Sequence, residues 1–279
     1  MKFLFRVFFR WYCKTFKLRG RHRIANSIGK LIMPMGGHEV IKIGIIDFPI
    51  DHNIPMYRYI YYSVYEEEFV DFLKQIIKPG DVVIDPGTNV GYISAVCADL
   101  LGNDGLVISI EPSKRCYSLL EKYLVSPRIR LFHSALYREK TNKVFVDKIN
   151  VISTGYSAFS DFTGQKMGDE VYEIETLTVS DLFIQFNLDR VKLLKLDIEG
   201  AELDALLGCA ELLQQQKIDY ILIETFISDA QIDTNKRINE LLSSAGYKPF
   251  IPVKNKLIPV DFSKITNARF DAIWTYTRS

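Results

Sequence analysis

From residue 80 onward the chain repeats one pattern. A short apolar run is followed by a turn bearing acids or glycines, and then by a segment with helical spacing of apolar residues. The apolar runs at 82–84, 106–110, 129–132, 191–196 and 220–223 are too short and too uniform for half-buried strands, and they read as strands buried on both faces. Between them, 92–101, 116–124, 201–207 and 238–244 read as helices, with Gly102 and Gly208 at helix ends and Gly246 just past one. Strands alternating with helices in this order fold as a parallel α/β sheet with right-handed crossovers. Ligands of such sheets bind at the carboxyl ends of the strands, so the turns that follow the strands are where chemistry is expected.

The turn after the first strand reads Asp85-Pro86-Gly87-Thr88-Asn89-Val90-Gly91 and opens a helix. Gly87 and Gly91 allow close backbone approach, and the helix start points free N–H groups at the same place. Read alone, this is also an ordinary tight connection. It departs from the G-x-G-x-x-G of dinucleotide-binding turns, and Asp85 at the strand end repels a pyrophosphate. An acid there suits S-adenosylmethionine, which carries an ammonium and a sulfonium and no phosphate. Glu111-Pro112 ends the second strand, where an acid is placed to accept two ribose hydroxyls. Ser134-Ala135, just past the third strand, is expected to line an adenine pocket, with neighbouring His133 in a structural role.

The fourth strand runs into Lys195-Leu196-Asp197-Ile198-Glu199-Gly200-Ala201-Glu202. Alternation sends Lys195, Asp197 and Glu199 to one side, where their charges perturb one another. The acids also suit a helix N-terminus, and Glu202 reads equally well as a cap. Glu224 ends the fifth strand at the same sheet edge, opposite Asp197. Carboxylate oxygens in this number suit magnesium, but no spacing demands a metal, so a divalent cation is not indicated and none is assigned.

Taken together, the Asp85–Gly91 turn, Glu111-Pro112, the Lys195–Glu202 run and Ile223-Glu224 resemble the FkbM family of S-adenosylmethionine-dependent methyltransferases, over roughly residues 65–276. Pro86 and Thr88 stand where that family usually has an aliphatic residue and alanine, and proline removes one backbone donor. Tyr65-Glu66 resembles the family's opening motif, which would bring Glu66 to the cofactor. The resemblance implies a class I, Rossmann-like methyltransferase domain with a seven-stranded, mostly parallel sheet, helices on both faces, and a last pair of strands forming an antiparallel edge hairpin. It also implies S-adenosylmethionine as cofactor and O-methylation of a sugar, glycan or related small-molecule hydroxyl. Asp197 is then the expected positioning group or base, assisted by Glu199, Glu224 and Lys195. Asp85, Gly87, Thr88, Asn89, Gly91, Glu111, Pro112, Ser134 and Ala135 are expected around the cofactor. Two other readings compete: a nucleic-acid methyltransferase, and a non-catalytic membrane-surface or glycan-binding module on the same fold.

Charge divides the chain. The formal net charge is +1, yet residues 1–30 hold nine cations and no acid, leaving 26 basic against 34 acidic residues elsewhere. A mildly acidic body argues against nucleic acid as the partner of the whole. The first 30 residues interleave Phe3, Phe5, Phe8, Phe9, Trp11, Tyr12 and Phe16 with Arg and Lys. They lack the unbroken apolar core of a signal peptide and read as one basic aromatic helix. It either lies on a membrane surface or packs its rings on the domain. Residues 31–63 read as a small strand-rich cap, with β-prone runs at 40–46 and 56–62, and 64–279 as the methyltransferase domain, beginning with a helix at 66–77. Residues 31–63 and 141–180 are expected to shape the acceptor site, with Tyr57, Tyr59, Tyr61, Tyr156, Phe159, Phe162 and Tyr172 as ring surfaces for sugars. No apolar stretch is long enough to span a bilayer. Four scattered cysteines without metal-ligand spacing fit a reducing, cytoplasmic setting, with peripheral contact at the inner membrane face through residues 1–30. The oligomeric state is not encoded in any motif.

Overall fold

The structure is a computed structural model that describes residues 2–16, 20–148, 157–161, 166, 169–226, 232–253, 256–261 and 269–276. The N-terminal part holds helices α1 (Lys2–Thr15) and α2 (Arg21–Leu31), the hairpin strands β1 (His38–Ile43) and β2 (Ile46–Asp51), and helix α3 (Pro55–Tyr61). The α/β part runs α4 (Glu67–Ile76), β3 (Val82–Pro86), α5 (Tyr92–Leu100), β4 (Leu106–Ile110), α6 (Lys114–Tyr123) and β5 (Ile129–Phe132). Four further strands follow: β6 (Ala135–Leu136), β7 (Asn142–Asp147), β8 (Ala158–Phe159) and β9 (Glu170–Leu177). Then come α7 (Val179–Gln185), β10 (Val191–Leu196), α8 (Glu202–Leu207), α9 (Ala210–Gln214), β11 (Ile218–Phe226), α10 (Ile232–Ser244), β12 (Lys248–Val253), β13 (Lys256–Pro259) and β14 (Arg269–Thr275).

The main sheet has the order β13-β12-β14-β11-β10-β3-β4-β5. Strands β11, β10, β3, β4 and β5 are parallel neighbours, and β14 runs antiparallel to β11 and β12. The chain leaves β3 toward β4 and β5 on one side and returns to β10 and β11 on the other. Its direction of winding therefore reverses between β3 and β10, where open sheets bind ligands.

Alternation along the central strands explains the two layers of helices. Val83, Val107 and Leu193 face one core with Leu73 of α4, Ala95 of α5 and Leu120 of α6. Ile84, Ile108 and Leu194 face the other with Leu182 of α7, Leu206 of α8 and Leu242 of α10. Each central strand is thus apolar on both faces, as the unbroken runs predict.

Several expectations are corrected. The sheet has eight strands among the described residues, because residues 256–259 fold back on β12 as an additional edge strand. The first 30 residues form two helices, and Gly20, at a φ of 81°, starts the second. Residues 56–62, read as β-prone, lie mostly in α3: Pro55 sits at the first helical position, and Met56, Tyr57, Ile60 and Tyr61 bury one helical face. Helix α7 went unseen, although Thr178 and Asp181 cap it reciprocally. Residues 141–180 build most of a four-stranded sheet of order β6-β9-β7-β8.

Candidate active site

A cavity of about 650 Å³ opens at the carboxyl ends of β3, β4 and β10. Much of its wall comes from the turns the sequence singles out, and the turns are built to touch. Gly87 has a φ of 70°, and a Cβ there would meet the Asp197 carbonyl oxygen at 2.4 Å. Glycine is therefore required for the first turn to lie against the second. Thr88 folds its hydroxyl back to donate to the Asp85 carbonyl at 2.6 Å. Pro86 is the buried last residue of β3, paired with Ile110, and it is not part of the cavity wall.

At the β4 end, Glu111 is 5% exposed, and both of its oxygens accept from backbone. The Asn89 N–H donates at 2.6 Å and the Ser113 N–H at 2.8 Å. Burial nonetheless pushes this carboxyl up to about 7, against the pull of those two N–H groups. Each oxygen keeps a lone pair for a further donor, the chemistry a vicinal diol requires. Pro112, Ser113, Ala135, Phe145, Ala158 and Phe159 continue the wall, so the small sheet encloses this end.

Between the two ends sits Asp85, 1% exposed. One oxygen accepts from the Ser94 hydroxyl at 2.6 Å, and Ser94 is linked to Ser109 at 2.7 Å. The other oxygen, Oδ1, is buried with no hydrogen-bond partner. Burial raises this carboxyl, offset in part by the ammonium of Lys195. A buried carboxylate oxygen without a donor is costly, and a ligand ammonium would supply one.

At the β10 end, Lys195 Nζ lies 2.9 Å from Asp197 Oδ2. Burial pulls the Lys195 ammonium down, but the carboxylates of Asp197, Asp85 and Glu66 outweigh it and hold the group well above the usual lysine range. Its carboxylate neighbours thus favour the charged form of Lys195. Asp197, Glu199 and Glu224 offer carboxylate oxygens all within 4.8 Å of one another. That is close enough to share one hydroxyl or one cation. Glu199 reaches the cavity from a φ of 55°, a conformation that costs a non-glycine residue about 1 kcal/mol or more. Glu202 closes the same turn, accepting from the Ile198 and Gly200 N–H groups at 3.1 Å. It is a turn-closing residue.

The cavity brings together Glu66, Asp85, Gly87, Thr88, Asn89, Glu111, Pro112, Ala135, Lys195, Asp197, Glu199 and Glu224. Two expected cofactor residues lie outside it. Gly91 faces α6, where a Cβ would meet Leu120 at 2.7 Å, so its role is helix packing. Ser134 turns its hydroxyl to the Glu175 carbonyl at 2.5 Å and is not part of the wall. His133 stacks on Tyr117 at 4.7 Å, the structural role expected of it. No residue of 31–63 lines the cavity: Tyr57 packs near Phe48, Tyr59 against His22, and Tyr61 against His52 and Tyr62. Of the other expected ring surfaces, Phe159 lines the cavity, Tyr172 bonds Pro112 and Asp147 through its hydroxyl, and Tyr156 and Phe162 lie outside the described residues.

The sequence reading also missed wall residues, among them Asp271, which pairs with Glu224 across β11 and β14. Its signal was an acid directly before a β-prone run at residues 272–276, visible only once the antiparallel register is known. Phe145 and Arg115 carry no sequence signal.

Residues 85–249, more than half of the chain, match the family model described as the methyltransferase FkbM domain. Among solved structures, the FkbM methyltransferase of Methylobacillus flagellatus is 13% identical over 92% of this chain and 59% of that one, with a TM-score of 0.44. A candidate rRNA-methylase of Clostridium thermocellum is 12% identical over 75% and 95%, at 0.43. An S-adenosylmethionine-dependent O-methyltransferase of Thermotoga maritima is 15% identical over 77% and 66%, at 0.37. Likenesses this distant add nothing to the family match. No curated protein matches the chain.

Proposed function

The chain belongs to the FkbM family of S-adenosylmethionine-dependent methyltransferases, and on that premise we propose that it methylates a hydroxyl oxygen of a sugar, glycan or related small molecule. The observation that carries this reading is the set of Asp197, Glu199 and Glu224 oxygens within 4.8 Å of one another, in one cavity with Asp85 and Glu111. The cavity's donor and acceptor chemistry fits the cofactor. Glu111 has lone pairs for the ribose diol, Asp85 Oδ1 has a place for the methionine ammonium, and Ala135 with the rings of the small sheet offers an apolar wall for adenine.

When bound, S-adenosylmethionine supplies an electrophilic methyl carbon. The protein must supply the nucleophile's position and take its proton. A neutral alcohol is a weak nucleophile, and a base within hydrogen-bond reach is worth about 10²–10⁴ in rate. Asp197 accepts the hydroxyl proton at its carboxylate. Lys195, 2.9 Å away, holds that carboxylate in place. Glu199 and Glu224 accept from the acceptor's neighbouring hydroxyls, which orients the reacting oxygen, and orientation alone contributes several kcal/mol to such a step. The three acids could also hold a divalent cation, which this reading does not require.

This wall of acids, extended by Glu66 and Asp271, repels a phosphate backbone and favours a polyol. The test is methylation with labelled S-adenosylmethionine of a panel of hydroxylated glycans and glycosides, with bulk RNA alongside. The expected product carries the label on a sugar oxygen. Label in RNA bases instead would replace this reading with the nucleic-acid one, and no transfer together with no cofactor binding would support the non-catalytic module.

A further inference from the structure

Helix α1 is held to the cap in a fixed orientation by one of its sides. Phe9 and Cys13 are 6% and 2% exposed, and the Phe9 ring meets Tyr62 edge-on at 5.0 Å. Arg6, also buried, donates from Nε to the Tyr61 hydroxyl at 3.2 Å and pairs with Glu39 at 3.2 Å. Glu39 in turn lies 2.5 Å from the buried ring of His52.

This docking leaves an inverted pattern. The opposite side of α1 carries Leu4, Val7, Phe8 and Trp11, exposed by 71%, 48%, 55% and 53%. Their spacing of i, i+3, i+4 and i+7 puts them on one continuous face. Charges normally occupy the outward face of a surface helix, and here an apolar aromatic face points out while Arg6 points in.

We propose that this face docks, lying flat, on an anionic lipid surface. Charge complementarity selects the occupant. Residues 1–30 hold nine cations and no acid beside a body with an excess of acids; Arg6 and Arg21 pair with Glu39 and Glu67 of that body, and the remaining cations leave the segment net positive. Arg23 and Lys30 on α2 are exposed. A second copy would bring two such segments together and be repelled. The described stripe residues, Leu4, Val7, Phe8 and Trp11, carry no cation to engage phosphates, which disfavours a nucleic acid. Apolar and aromatic residues entering the acyl boundary, with cations of the same segment available to the headgroups, is the arrangement of an interfacial helix. No helix among the described residues is long and apolar enough to cross a membrane, so contact through α1 is in-plane. This inference does not depend on the identity of the methyl acceptor.

The full chain has two tryptophans, exposed Trp11 and Trp274 at 1% exposure, so a change in tryptophan emission on adding vesicles reports on Trp11. The experiment measures partition onto equimolar phosphatidylglycerol and phosphatidylcholine vesicles, onto pure phosphatidylcholine, and at low and high salt. The expected result is binding to the anionic vesicles that weakens with salt, with the Trp11 emission blue-shifted and quenched by brominated lipid. The double variant Phe8→Ser/Trp11→Ser should lose roughly tenfold or more of the partition coefficient, since it removes two buried aromatic anchors. Its melting temperature and S-adenosylmethionine affinity should stay unchanged, which separates lost docking from lost folding. Equal partition of parent and double variant overturns the proposal, as does no partition at all. So does a stripe-dependent dimer in sedimentation velocity, or a stripe-dependent shift with RNA.

Discussion

Strands β4 and β10 flank β3 on either side, and each ends in a carboxylate at the same cavity, yet the two are set differently. Glu111 is nearly sealed, and backbone N–H groups engage both of its oxygens. Asp197 keeps 36% of its side chain exposed and pairs with the side-chain cation of Lys195. A carboxylate fixed by backbone is a rigid acceptor suited to holding a ligand. One beside a lysine and two other acids, on an open wall, is accessible to an acceptor hydroxyl. The family match shows a methyltransferase, and the proposed function takes the contrast as a division between a holding end at β4 and a reacting end at β10.

The strongest way to break this contrast is Asp197→Asn. Turnover is expected to fall by about 10²–10⁴, with cofactor affinity within roughly threefold of the parent. Steady-state rates at saturating cofactor, with calorimetry beside them, check this. Next comes Gly87→Ala, which puts a methyl 2.4 Å from the Asp197 carbonyl at a φ of 70°. It couples the two ends, so affinity and turnover should fall together, with stability lowered by about 2–3 kcal/mol in denaturant unfolding. Glu111→Ala acts on one end alone. The loss of charge-assisted hydrogen bonds should raise the cofactor dissociation constant about 10–100-fold, with a much smaller change in rate at saturation. The smallest effect is that of pH. With the Glu111 carboxyl up at about 7, its ionised fraction rises between pH 6 and 8, so cofactor affinity should rise by up to about tenfold over that interval. Glu111→Gln should flatten the profile. The sign for stability is opposite. The folded state binds this proton more tightly than the unfolded chain, so the contribution is present below the ordinary carboxyl range and is lost as pH rises toward 7.

Much of this was legible in the sequence because strands buried on both faces and acid-bearing turns leave local signals. The apolar runs of β4, β5 and β10 match the observed strands residue for residue. What failed depended on contacts far apart in sequence. Tyr57, Tyr59 and Tyr61 alternate as a strand would, but Pro55 and the packing of Met56, Ile60 and Tyr61 wind that segment into α3. Gly91 looked like part of a ligand turn because its packing against Leu120 is invisible from its neighbours. Ser134 sits beside a wall residue, yet its hydroxyl is claimed by the Glu175 carbonyl 41 residues away. Asp271 joins the acids only through its register with Glu224. The N-terminal rings illustrate a different gap: composition alone could not choose between packing and exposure, and α1 does both, on opposite sides.

Calorimetric titration of S-adenosylmethionine into Asp197→Asn and Glu111→Gln, side by side with the parent, tests the division of roles most directly. The expected result is parent-like binding by Asp197→Asn and binding weakened at least tenfold in Glu111→Gln. The reverse order, or equal loss in both, would contradict the separation of a holding end from a reacting end.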